Sequence, residues 1–142
     1  MKQLLILSLG LFLVTGCKKV IKQTREQIAE TLIVKAITDG RWVVSVYKND
    51  TEDFKTEFDG YEFQFKTDRF VDAIKNSIKE STGTWNEDKV NIAIIADYPT
   101  TAATTLQRLD GNWKLKDSNW TWVKAQQTIN GKLVTLELTK KP

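Results

Sequence analysis

At 142 residues, with a formal net charge of +3 and 41% apolar residues, the chain is sized for one domain with a genuine hydrophobic core, not for a disordered or multidomain protein. Histidine is absent, which removes the usual general base, the usual zinc ligand and every Ser-His-Asp or Cys-His arrangement. The single cysteine excludes an intrachain disulfide, and no basic stripe interleaved with aromatics suggests nucleic acid as a partner.

The N-terminus carries the clearest signal. Lys2 supplies a positive start, and the run from Leu4 to Val14, LLILSLGLFLV, supplies a short apolar segment, too short to span a bilayer as a permanent helix. LVTGC follows at residues 13–17. That pentapeptide resembles the lipobox of bacterial lipoproteins, in which a small residue precedes a cysteine that is acylated on both sides of a cleavage step. The resemblance implies a signal peptide over residues 1–16, cleavage after Gly16 and lipidation of Cys17, with palmitate-like chains. Each buried methylene contributes about 0.8 kcal/mol and stable anchoring takes two signals, so a triacylated cysteine holds a protein on a membrane.

Residues 17–39 are expected to form a lipidated tether and helix. Lys18, Lys19, Lys22 and Arg25 either touch anionic head groups or form a solvated tether. Ile21, Ile28, Ala29, Leu32, Ile33, Ala36 and Ile37 fall near a 3.6-residue period, and Asp39-Gly40 supplies a helix stop. By analogy with sorting rules in lipoproteins, Lys18 after the cysteine and the lack of an acidic run imply a lipid-anchored location at the outer membrane, facing the periplasm.

Beyond Gly40 the apolar period becomes two. RWVVSVYK places Trp42, Val44 and Val46 on one face, and YEFQFK places Tyr61, Phe63 and Phe65 on one face. RFVDAIKNSI and STGTW continue after a Thr67-Asp68 turn, and KVNIAIIA alternates Val90, Ile92 and Ile94. A long gap from Ala96 to Gly111 predicts a short helix or lid over one end, or a plain crossing of the opening. NWKLK, WTWVKAQ and KLVTLELTK complete the set, the last two joined through Asn130-Gly131, a strong hairpin turn. Eight candidate strands joined mostly by short turns predict an all-β fold over residues 40–142: an eight-stranded antiparallel up-and-down barrel preceded by a helix, with a two-sheet sandwich as the alternative.

Gly40-Arg41-Trp42, at the head of the first strand after a helix, resembles the Gly-x-Trp signature of the lipocalins. FDGYEFQF, TGTWNEDKVNI, GNWKLKDSNWTW and the terminal LVTLELTK extend the likeness to lipocalin-like lipoproteins of Bacteroidetes-type bacteria. Lipocalins pack an arginine from near the last strand over this tryptophan. No arginine follows Arg108, so Lys140 or another residue is expected in that place. Gly-x-Trp recurs at residues 83–85 and 111–113, but spacings that differ exclude a repeat architecture.

Carboxylates are the remaining catalytic candidates, and Asp50, Glu52 and Asp53 share one loop without the spacing or glycine of a calcium hand. No acid pair is selected by spacing for glycoside chemistry, so neither an enzyme nor a metal or cofactor protein is expected. Five tryptophans either line an apolar cup or fill the barrel. Two functions stand: a membrane-tethered binder of a small hydrophobic ligand, walled by Phe63, Phe65, Trp113 and Trp122, or a non-catalytic structural or interaction lipoprotein with a filled barrel.

Overall fold

Alternation and tight turns fold this chain into one antiparallel sheet that closes on itself. The computed structural model describes residues 31–142, so the expected signal peptide, Cys17 and the expected basic tether lie outside the described residues, as do Ile21, Ile28 and Ala29 of the expected helix stripe. Helix α1 covers residues 31–37. The strands follow as β1 (Trp42–Asn49), β2 (Glu52–Asp53), β3 (Tyr61–Phe65), β4 (Phe70–Lys75), β5 (Ile78–Asp88), β6 (Ala93–Asp97), β7 (Gly111–Asn119), β8 (Trp122–Ile129) and β9 (Lys132–Lys140). A 3-10 turn (Lys55–Phe58) precedes β3, and helix α2 (Thr104–Gln107) lies in the long connection before β7.

Each strand from β3 onward pairs with its successor, and β1 pairs with both β3 and β9. The result is the expected eight-stranded up-and-down barrel behind a short helix, with β2 as a two-residue addition to β1. Closure leaves the eight barrel strands without a long free edge. The register separates two ends. At the α1 end lie the β3–β4, β5–β6 and β7–β8 turns and the end of β9; at the α2 end lie the β4–β5 turn, the β8–β9 hairpin and the 3-10 turn.

Several expectations drawn from alternation need correction. A bulge at Ser45 shifts the phase of β1, so Trp42, Val44 and Tyr47 face inward in place of Trp42, Val44 and Val46. RFVDAIKNSI is split by a tight turn at Asn76 and Ser77, both with positive φ (50° and 69°), and Ile78 begins β5. Strand β6 begins only at Ala93, which leaves Val90 and Ile92 exposed in a turn while Ile94 faces inward. Trp120 belongs to the β7–β8 turn, not to a strand, and stands 52% exposed.

The three Gly-x-Trp triplets share one local device. Each buries its tryptophan, and each indole N–H donates to a backbone carbonyl at a barrel end: Trp42 to Ile37 (2.8 Å), Trp85 to Lys66 (2.9 Å) and Trp113 to Leu109 (2.7 Å). A buried indole N–H needs a partner, so each bond ties a connecting segment to the core. Gly40 has φ +82°, the left-handed conformation that ends a helix, and the Lys140 side chain packs where its side chain would be. Gly83 is not at a strand start. It lies within β5, where an added Cβ would meet the Asp97 carbonyl oxygen at 2.7 Å and the Tyr98 ring at 3.0 Å.

Lys140 occupies the position over the first tryptophan. Its Nζ lies 5.8 Å from the Trp42 ring centroid and 2.6 Å from Asp39 Oδ2, joining β9, the tryptophan and the turn that follows α1.

One seam is weak. Strands β1 and β3 share a single ladder pair, Trp42↔Phe63. Glu62 clasps that seam from outside, bonded to Arg41 at 2.9 Å and to Lys141. These hydrogen bonds, Lys141 first and Arg41 second, hold the Glu62 carboxyl below the usual glutamate range. A depressed folded-state pKa contributes stability that is present above the unfolded value and lost as pH falls through the folded one. Glu62→Gln is therefore expected to cost about 1 kcal/mol at neutral pH. Urea melts through the acid range should show a shallower acid loss for the variant than for the parent, and equal slopes would refute the clasp.

Candidate functional site

The barrel interior is built by inward residues of every wall. Phe63, Phe65, Val71, Ile94, Trp113, Val123, Ala125, Leu136 and Leu138 converge there, with Ile37 from α1 closing one end and Tyr98 and Leu109 the other. What remains is a cavity of about 40 Å³. Small-molecule pockets usually enclose about 300–1,000 Å³, so this space fits a few waters and not a lipid.

The segment from Ala96 to Gly111 plugs the α2 end. Leu106 is fully buried, and Tyr98 and Leu109 nearly so. Its backbone is pinned at several points: Tyr98 N–H donates to Asp110 Oδ1 (2.6 Å), Gln107 Nε2 donates to the Thr100 and Ala102 carbonyls, and Gln127 Nε2 donates to the Asp110 carbonyl. Arg108 forms a forked pair with Glu57 (2.9 and 3.2 Å) and lies 4.1 Å from the Phe54 ring centroid, which binds the plug to the 3-10 turn. Tyr47, whose hydroxyl donates to the Arg108 carbonyl at 2.8 Å, has its pKa pushed up to about 12, mainly by burial. Burial, reinforced by Asp110, also drives the Tyr98 pKa upward. Both phenols stay protonated at neutral pH and serve packing.

The α1 end is more open. A groove of about 250 Å³ runs between α1 and the β7–β8 turn, lined by Leu32, Ile33, Ala36, Trp120, Ser118 and Asn119 among others. Ile37, Ile94, Leu115 and Val123 line both this groove and the internal cavity. Their alternation with Trp113 and Ala125 marks Leu115 and Val123 as inward. The sequence signal for Trp120 is Asn119 before it, whose Oδ1 accepts from the Thr121 N–H and so builds a turn that leaves the indole outside.

Of the residues expected to wall a ligand site, Phe63, Phe65 and Trp113 face the interior together. Trp122 stands on the outer side of β8, half-buried, because Val123 and Ala125 hold the inward positions. Gly40 and Trp42 meet at the α1 end, where they close the barrel. Cys17 lies outside the described residues. In the acidic loop, Asp53 Oδ1 accepts from the Lys55 N–H and Asp50 adopts a left-handed turn conformation, φ 58°. Among the described residues, no group of three acidic, histidine or cysteine side chains is placed to hold a metal ion.

No protein-family model matches the chain, and no curated protein matches it. Among solved structures, a DUF4847 family protein from Bacteroides vulgatus is similar, with a TM-score of 0.54 and 13% identity over 78% of this chain and 99% of that one. The likeness is one of barrel fold.

Proposed function

We propose that this chain is a membrane-anchored, non-catalytic lipoprotein of the cell envelope, lipidated at Cys17, whose solid barrel serves as a structural or interaction module. The observation that carries this reading is the filled interior, with about 40 Å³ left and the α2 end plugged by Tyr98, Leu106 and Leu109. A carrier of a hydrophobic ligand needs several times that space. The lipobox-like LVTGC supports the anchor, and the outer membrane facing the periplasm is the proposed location.

One observation favours a second reading. The groove beside α1 is about 250 Å³ and shares four wall residues with the interior, so a small apolar ligand has a place at the mouth and not inside the barrel. On that reading Leu32, Ile33 and Trp120 replace Phe63, Phe65 and Trp113 as first contacts.

Two measurements test these readings together. Growth with labelled palmitate should mark the parent chain and leave Cys17→Ser unmarked; label on that variant would refute the anchor. Native mass spectrometry of the protein from its own host should show the polypeptide with its acyl chains alone. A further stoichiometric mass of lipid size would overturn the solid-barrel reading in favour of the groove.

A further inference from the structure

Among the described residues, large apolar side chains that ordinarily hide are displayed at the α1 end. Phe70, Val90, Ile92 and Trp120 are exposed at its three turns and Leu32 on α1, with Val90 at 84%. Both exposed aromatic side chains, Phe70 and Trp120, are here, whereas the α2 end exposes the aliphatic Ile78, Ile129 and Leu133. Ile92 adopts a left-handed backbone, φ 51°. A β-branched residue is strained in that conformation, and its side chain is still about half exposed, at 48%.

Chain length and the basic sequence before α1 distinguish the ends further. At the α2 end the exposed Asp50, Glu52 and Asp53 are offset by exposed Lys48, Lys75 and Lys132, and Glu57 and Asp59 are ion-paired with Arg108 and Lys55. Lys18, Lys19, Lys22 and Arg25 precede residue 31, where the described chain begins on α1. The fourteen peptide steps from Cys17 to Thr31 reach at most about 50 Å, and an eight-residue barrel strand is about 26 Å long. Seating the α2 end on a bilayer would spend much of that reach running beside the barrel.

We propose that the α1 end lies against the bilayer that carries the Cys17 anchor, with Trp120, Val90, Ile92 and Phe70 seated among the head groups. Tryptophan favours that interface, and basic segments are drawn to its negative potential. The inference rests on the anchored reading and deepens it, because it leaves the α2 end as the free surface.

The test uses the full chain lipidated in its own host and reconstituted into phosphatidylethanolamine–phosphatidylglycerol vesicles. Since Cys17 becomes a thioether, an introduced cysteine is the one thiol available for a fluorophore. Val90→Cys and Thr121→Cys report the α1 end, Thr51→Cys and Ile78→Cys the α2 end, and each variant is first checked for a parent-like melt. A quencher carried on phospholipid is expected to dim positions 90 and 121 several-fold more than 51 and 78. Equal dimming at all four positions, or stronger dimming at 51 and 78, overturns the proposal. So does protection from an aqueous quencher that rises with protein density without dimming by the lipid-borne quencher, which would identify a second copy as the occupant. Intact mass and vesicle flotation of the same sample read the anchor separately. An unacylated protein that does not float refutes the anchored reading and this inference with it, whereas an acylated, floating protein with undimmed labels overturns the docking alone.

Discussion

Trp42→Ala is expected to destabilise the domain by about 3–5 kcal/mol, measured by urea denaturation followed in the far ultraviolet. The residue is fully buried at the α1 end, and its indole N–H donates to the Ile37 carbonyl, so removal opens a cavity and releases the segment that enters β1. Trp42 also supplies the one ladder pair between β1 and β3, the seam where closure is weakest. Trp42→Phe retains most of the apolar volume while losing the indole bond and is expected to cost roughly 1–2 kcal/mol. If the alanine variant melted like the parent, closure at this end would rest on Glu62, Arg41 and Lys140 instead.

Leu106→Ala is expected to cost about 2–5 kcal/mol, the range for truncating a buried leucine in a packed core. A lid that opens and closes over a barrel mouth would contribute little to global stability, and the same substitution there would leave the melt unchanged. Leu106 is fully buried and its neighbours are pinned by Asp110, Gln107 and Gln127, which marks the segment as a plug. Glu57→Gln, at the partly exposed clasp to Arg108, should lower stability by no more than about 1 kcal/mol. A large effect at Glu57 with none at Leu106 would restore the lid.

Much of the architecture was legible because period-two alternation and tight turns are local properties. VTLEL in β9 and YEFQF in β3 present their apolar residues on one face with no interruption, and Asn130-Gly131 forms the expected hairpin. Alternation misled where a bulge or a turn broke phase. Ser45 inserts one residue and exchanges Val46 for Tyr47 on the inner face, and Asn76-Ser77 turns a run that reads as one strand into two. The wall read from aromatic content wrongly included Trp122 for a related reason: facing is set by register against Thr139, and hydrophobicity alone does not reveal it.

The candidate site was less legible still. Whether five tryptophans leave a cup or fill a barrel depends on how side chains from opposite walls interdigitate, and the sequence kept both outcomes open. Sequence alone determined the barrel class, the helix before it, the Gly40-Trp42 corner and the expectation of a lipidated Cys17, because each is written in short-range spacing. The tertiary structure alone decided that the interior is nearly full, that Leu106 belongs to a plug, and that Lys140 covers Trp42 from 98 positions away. It also gathered Phe70, Val90, Ile92 and Trp120 at one end. Those facts arise from contacts between residues distant in sequence, and they exist only once the eight strands have closed and set their register.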